Sequence, residues 1–463
     1  MRSPSTERGE IKLRSKQSIR LIFLTFGFIV FALGLGARTI NQDINIGLLH
    51  QLNIYAWLMS SIIILILIIE FLISNHILRG FKYFVNHWTI KNNLELQMID
   101  AGFGIKRGNI IELPKIVLSF DKDFKSGRLK IKNALKFDKK LDDTVLSSAL
   151  GKYIVERHYL SDDNNYYIYE LIDGSVSYRL IFNSSDTFLE YNNKISPYKL
   201  FLDGRSMVKL QHTILVGMTG SGKSYSLYSL IMQMLNKSVD YNIHFADPKG
   251  SSLAVIGSAV NSEQTYVDME SIIEGLEEFV ERMRARKPEL KTLLEDKVDA
   301  DYSDFGMTPN IFIIDEYASF ASVLASEDKK TRDKVKALLY EVILQGRQLG
   351  FFVFLVMQKS DATLIDTALR DNIPLKIVLG NSEQQTYVTA FGAGVDVPNR
   401  HYQTGEGVFT EPVIAPEPKL VQFPFLDFDI LLFCKRNARD VITGVPEQST
   451  EKTGKAVDEL CSN

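Results

Sequence analysis

The stretch 212–224 reads HTILVGMTGSGKS: an apolar run, a glycine-rich turn, then a lysine and a serine. Gly217, Gly222, Lys223 and Ser224 keep the spacing of a phosphate-binding loop, a glycine followed after four residues by glycine, lysine and a hydroxyl side chain. This spacing constrains the fold, because the loop works only between a buried strand and the amino end of a helix. Residues 213–216 are apolar enough for that strand. Across Gly217, Met218, Thr219, Gly220, Ser221 and Gly222 the glycines let successive N–H groups turn inward as an anion nest. The helix behind them aims its positive end at the same phosphates. Lys223 then reads as the charge on the β- and γ-phosphates and the Ser224 hydroxyl as a ligand of Mg²⁺, so the stretch implies a site for ATP.

Beyond Ser224 the chain alternates in a way that predicts an α/β domain with a parallel sheet and crossover helices. Residues 225–235 have helical spacing, 241–246 form an apolar strand ending in Asp247, Pro248 and Lys249, and 271–286 read as a charged amphipathic helix. Asn310–Ile314 is a very apolar strand, closed by Asp315 and Glu316. Four apolar residues and then Asp-Glu form a Walker B pattern, in which Asp315 holds the Mg²⁺ shell and Glu316 polarises the attacking water. The next strand, Phe351–Met357, ends at Gln358, which is placed to sense the γ-phosphate or its water.

The rest of the chain is organised around this motor, assigned to 198–435. Two apolar runs, about 21–36 and 55–74, have the length and lack of charge of membrane spans. Basic flanks on their outer sides predict both termini and the rest of the chain in the cytoplasm, so 1–91 reads as the membrane anchor of a multi-pass protein of the cell membrane. Residues 92–197 break into short β-like runs and read as a small α+β module whose first part is rich in lysine and arginine, a surface for DNA, membrane or a partner. The tail 436–463 is polar. The net charge of −3 excludes a uniformly basic nucleic-acid binder, so DNA contacts come from local patches or from a pore. Two cysteines, Cys434 and Cys461, make no disulfide framework and no metal spacing.

The ordered set of motifs resembles the FtsK/SpoIIIE DNA-pumping ATPases of the RecA-like class. It comprises the phosphate loop, Asp247-Pro248-Lys249, the Glu281-Arg282-Met283 helix, IFIIDEYASF, the strand ending at Gln358, Asn372-Ile373-Pro374, Gly405-Glu406-Gly407 and Val421-Gln422-Phe423-Pro424. The resemblance spans about 199–429 and implies a RecA-like motor, an ATPase coupled to largely sequence-independent DNA translocation, and assembly as a homo-hexamer. Two spans, one module and one motor, without a carboxyl-terminal reader of DNA sequence, are similar to the coupling proteins of Gram-positive conjugative elements and plasmids. Those hand DNA from a relaxase, within its relaxosome, to secretion-channel proteins. Lys376 stands where segregation motors usually have arginine, so Arg347, or else Arg370, becomes the candidate for an arginine finger acting in a neighbouring subunit. The competing readings are a chromosome-segregation or sporulation translocase, a protein-secretion ATPase of the same superfamily, and a scaffold that binds nucleotide without hydrolysing it.

Overall fold

The structure is a computed structural model of the 463-residue chain. It describes residues 47–74, 79–107, 110–133, 149–358, 367–392 and 400–437, with a few isolated positions besides. The chain divides into two compact units. One is Met1–Tyr178 with the stretches Asp396–Arg400 and Glu417–Leu420; the other is Arg179–Val395 with His401–Pro416 and Val421–Asn463.

The first unit begins with α1, Gly47–Ser74, a helix of 28 residues. Ile62, Ile64, Leu65, Ile66, Ile68 and Ile69 on it are each 46–58 % exposed. Among the described residues no helix is long and apolar enough to cross a membrane. The expected span at 21–36 lies outside the described residues apart from two isolated positions, and the one at 55–74 falls within α1, some of whose side chains also lie outside them. Helix α2, Phe81–Asp100, buries Tyr83, His87, Ile90, Leu94 and Met98, a stripe at helical spacing along one face. That stripe packs on a four-stranded antiparallel sheet of β1 (Ile116–Phe120), β2 (Ser126–Lys132), β3 (Tyr153–Leu160) and β4 (Tyr166–Asp173), in the order β1-β2-β4-β3. Strand alternation decides what is buried: Leu118, Phe120, Leu129, Ile131, Tyr167, Tyr169 and Leu171 point to the helix, and the residues between them point away. The Tyr83 hydroxyl accepts from the Phe120 N–H at 3.2 Å, and His87 Nε2 lies 3.1 Å from the Leu118 carbonyl, which fix the helix to the edge strand. The module boundary expected at 91/92 therefore falls inside α2, whose buried residues lie on both sides of it.

The second unit opens with α3, Ser185–Asn193. It then builds β5 (Thr213–Gly217), α4 (Lys223–Leu235), β6 (Asn242–Ala246), α5 (Ser252–Asn261) and β7 (Thr265–Tyr266). There follow α6 (Met269–Asp296), β8 (Asn310–Ile314), α7 (Tyr317–Ser326), α8 (Lys329–Leu349) and β9 (Phe351–Met357). The unit continues with α9 (Thr367–Asp371), β10 (Leu375–Leu379), α10 (Gln384–Phe391), β11 (Glu406–Glu411), β12 (Ala415–Gln422, of which Glu417–Leu420 are counted with the first unit) and α11 (Ile430–Asn437). The strands form one eight-stranded sheet in the order β7-β6-β8-β9-β5-β10-β11-β12. From β7 to β10 neighbouring strands run parallel, as the alternating pattern implied. Strand β11 pairs antiparallel with β10, so the sheet is mixed and the all-parallel expectation is corrected at that edge. Strands β5, β8 and β9 are buried at every residue because helices cover both faces, which is why they read as unbroken apolar runs. Of the β-like run at 177–182, only Ile181–Phe182 forms a strand, paired with Phe425–Leu426.

Candidate nucleotide site

In a parallel sheet every strand delivers its following loop to one edge, and the expected site residues meet there. Strand β9 lies between β5 and β8, so Gln358 at its end stands between the phosphate loop and the Asp315-Glu316 pair. The loop turns through positive φ at Gly220 (82°) and Gly222 (91°), a conformation open to glycine at little steric cost. Gly222 caps α4, and Met218, Thr219, Gly220 and Ser224 are exposed at its mouth. Ser221 is buried, and its hydroxyl has no hydrogen-bond partner. A Cβ on Gly217 would lie 2.4 Å from that hydroxyl oxygen, which accounts for the first glycine of the pattern.

Lys223 is 8 % exposed. Its Nζ lies 3.1 Å from Glu316 Oε1 and 3.8 Å from Asp315 Oδ1. Gln358 Nε2 donates to the same Glu316 Oε1 at 2.9 Å, and Lys249 Nζ is 3.4 Å from Oε2. Burial opposes ionisation of Glu316, but the hydrogen bonds from Gln358 and Lys223 and the charges of Lys223 and Lys249 outweigh it and hold the carboxyl below its ordinary range. Asp315 moves the other way. Burial raises it, helped by the neighbouring carboxylates Asp247 and Glu316, against the pull of Lys223 and the Glu316 N–H. Two adjacent acids thus occupy different electrostatic environments. Glu316 sits at φ 50°, ψ 47°, a left-handed conformation that costs a non-glycine residue of order 1 kcal/mol or more. Its N–H donates to Asp315 Oδ1 at 2.9 Å, which helps to hold that turn.

The structure also assigns parts that motif reading left without a role. Asp247 is fully buried and accepts from the N–H groups of Lys249, Ser251 and Ala254 and from the Ser251 hydroxyl, so it builds the turn into α5. That turn carries Lys249 to Glu316. The signal was available, since β6 and β8 are parallel neighbours that end at one edge. The Gly405 segment is a strap over the phosphate loop: its N–H donates to the Ser221 carbonyl at 2.7 Å and Thr404 Oγ1 donates to the Gly220 carbonyl at 3.1 Å. Arg179 clamps the strap from outside, donating to the Thr404 carbonyl at 2.5 Å. A Cβ on Gly222 would lie 2.6 Å from the Gly405 nitrogen, so loop and strap fit only without a side chain there.

Arg347 is not part of this constellation. It is exposed at the carboxyl end of α8, just before β9 begins, at the opposite edge of the sheet. The length of β9 puts that edge about 20 Å from Gln358. Arg370 is largely buried, with Nε 3.5 Å from Asp371 Oδ1, and Lys376, one residue into β10, is half-buried near it. All three cations therefore lie toward the end of the sheet opposite the phosphate loop. For Mg²⁺, no group of three or more His, Cys, Asp or Glu among the described residues could hold a metal. The donor set that fits is the Ser224 hydroxyl and Asp315, completed by phosphate oxygens, as Mg²⁺ prefers.

A buried lysine in a glycine nest, facing an Asp-Glu pair with a glutamine at the intervening strand, is the arrangement of a phosphate-loop motor. Residues 184–364 match the FtsK/SpoIIIE family. The resemblance read from the motifs holds, and the FtsK/SpoIIIE segment runs from the start of α3 to a point between β9 and β10. Among curated proteins the chain is 29 % identical over 199 residues to the Ftsk domain-containing protein YdcQ of Bacillus subtilis (strain 168), covering 43 % of this chain and 40 % of YdcQ. It is 25 % identical over 274 residues to the DNA translocase SpoIIIE of the same organism, covering 54 % of this chain and 33 % of SpoIIIE. It is 23 % identical over 292 residues to DNA translocase FtsK 1 of Neisseria meningitidis serogroup A / serotype 4A (strain DSM 15465 / Z2491), covering 53 % and 33 %. The chain thus spans well under half the length of these relatives. A solved structure, the pCW3 conjugation coupling protein TcpA in monomer form with ATPγS, is 16 % identical, with TM-score 0.46, over 73 % of this chain and 96 % of that one.

Proposed function

We propose that the chain is an ATP-driven DNA translocase, tethered to the bacterial membrane and acting as the coupling protein of a conjugative transfer system. The observation that carries the ATPase reading is Glu316, an ionised carboxylate held by Gln358, Lys223 and Lys249 at the mouth of a phosphate nest. A triphosphate competes with Glu316 for the Lys223 ammonium. Once Lys223 pairs with the β- and γ-phosphates, Glu316 keeps Gln358 and Lys249 and can accept a proton from the attacking water. Ser224 and Asp315 would hold Mg²⁺, which would supply charge neutralisation on the phosphates. Arg347, Arg370 and Lys376 lie at the wrong edge for this loop and at a suitable edge for a neighbour's, which supports a ring, read as a homo-hexamer, with Arg347 as the trans-acting finger. Contacts to DNA in such a pore are to phosphates and are largely sequence-independent.

The apolar run at 55–74 and the exposed isoleucines of α1 support the membrane tether, and the basic flanks support a cytoplasmic side for the motor and both termini. The relaxase, its relaxosome and the secretion-channel proteins are the partners this reading implies. Lys223→Ala is the deciding experiment. ATP turnover should fall by about three orders of magnitude or more, and DNA transfer should stop, with the protein still in the membrane fraction. Transfer at normal frequency overturns the motor. ATP hydrolysis unaffected by added DNA would favour the secretion ATPase, and absent hydrolysis in the unaltered chain would favour the scaffold.

A further inference from the structure

The antiparallel sheet of the first unit has two faces; one packs on α2, and on the other Ile168 and Ile172 are also buried. On the face turned away from α2, β2 presents Arg128, Lys130 and Lys132 in succession, two residues apart and so about 7 Å apart along the strand. Register sets Tyr166 opposite Lys132 and Glu170 opposite Arg128, and on the far strand Arg157 opposite Glu170. The acid among them, Glu170, is already held by Arg157 at 2.7 and 3.0 Å, by Arg128 at 3.4 Å and by the Tyr159 hydroxyl at 3.1 Å. Lys130 and Lys132 have no ion-pair partner among the described residues. The Arg157 guanidinium lies over the Tyr159 ring, 5.4 Å from its centroid. Arg128 has half its side chain exposed, and Lys132 and Val117 beside these cations are exposed too.

We propose that this sheet face is a second binding surface for single-stranded DNA, outside the motor. Four cations against two acids, Glu170 and the Glu156 carboxylate that acts on Arg157 from the bulge beside it, leave the face with an excess of positive charge that the chain as a whole does not have. A row of cations at every second residue follows an extended phosphate backbone, and Tyr166 on the neighbouring strand offers a ring for an unpaired base, a combination that single-strand binders use. A lipid headgroup would use the cations but not the ring. The face lies in the unit that carries α1 and α2, so it would hold the strand independently of ATP turnover. Its role as a DNA surface rests on the DNA-motor reading of the chain.

The test uses the full chain in detergent, with a benzoyl-phenylalanine photoprobe replacing Tyr166, a labelled oligo-dT strand, and the double substitution Lys130→Glu/Lys132→Glu as a second measure. Irradiation should attach the strand at position 166. The double substitution should weaken oligo-dT binding about fivefold or more and lower the slope of log affinity against log salt by about 1.4, two phosphate contacts at about 0.7 each. Absence of the crosslink together with unchanged affinity, in a chain whose ATP hydrolysis still rises with DNA, sinks this surface and leaves the motor standing. If DNA neither binds the unaltered chain nor stimulates it, the motor reading itself fails. Loss of binding to phosphatidylglycerol vesicles with oligo-dT binding intact would make the face a lipid contact and overturn the proposal, as would equal crosslinking to duplex DNA.

Discussion

The two sheets of this protein handle the same problem differently. The motor sheet is covered by helices on both sides, so its central strands are apolar throughout and all polar chemistry is pushed to the loops at one edge. In the antiparallel sheet one face packs on α2 and the other carries charged side chains, so along β2 charged residues alternate with core residues, while β4 buries Ile168 and Ile172 on the second face as well. One architecture concentrates function at strand ends and the other spreads it over a face. The difference also sets what a mutation does: in the motor sheet, chemistry and packing are separated by the length of a strand, whereas in the other they share consecutive residues.

The largest effect should come from the motor's edge. Glu316→Gln keeps the volume and the hydrogen bond to Gln358 but removes the base, so hydrolysis should fall by about 10²–10⁴ while nucleotide binding persists, as single-turnover kinetics and an equilibrium binding assay would show. If affinity disappears together with turnover, Glu316 is a binding residue and its assignment is wrong. Within the covered sheet, Phe312 is fully buried among His244, Tyr266 and Phe279, with ring centroids 5.4–5.9 Å away. Phe312→Ala should cost about 3–5 kcal/mol in urea unfolding of the motor; a cost under about 1 kcal/mol would mean that the core can collapse around the gap.

Two glycines with positive φ, one in each unit, differ in the same way. Gly222→Ala adds strain at φ 91° and a Cβ 2.6 Å from the strap nitrogen, so it should loosen the strap and weaken nucleotide binding as well as cost about 2 kcal/mol or more. Gly151→Ala, at φ 64° in the first unit with nothing within 4 Å, should cost only about 1 kcal/mol and leave nucleotide affinity alone. Equal costs would remove the strap's role. The most gradual effect is that of pH. Burial, helped by Arg347 and Arg282 respectively, pushes His212 and His244 down to about 3 from 6.5. Both are neutral when folded, so between about 6.5 and 3 the unfolded chain binds more protons and stability falls as pH falls. The slope is up to about 1.4 kcal/mol per pH unit for each histidine. Urea midpoints compared at about pH 7 and about pH 5 should show the loss, and His244→Gln should shrink it. An unchanged slope would mean that carboxylates, not these imidazoles, set the acid limit.

The motor was legible from the sequence because its determinants are local. A strand buried on both faces must be apolar, a phosphate nest must have glycines at fixed offsets, and the acids after β8 follow an apolar run in the chain itself. The first unit was harder. Its boundary was set inside α2 because Tyr83 and Met98, which pack on the same sheet, stand either side of the change in composition. The basic residues of 106–140 were visible as a group, but which of them share a face depended on strand register. Lys249 and Gly405 were seen as parts of motifs without a role, since what they touch lies far along the chain.

Residues 212–224 and 310–316, by themselves, determined that this protein has a nucleotide loop and a paired acid on an α/β scaffold, because backbone sterics and burial dictate those patterns residue by residue. Only the tertiary structure decided that β9 stands between them and delivers Gln358 to Glu316. It also closed the 404–405 strap over the loop, turned Arg347 to the far edge, and gathered Arg128, Lys130, Lys132 and Arg157 on one open face. These placements depend on strand order and register, which arise from contacts between residues that the chain keeps far apart.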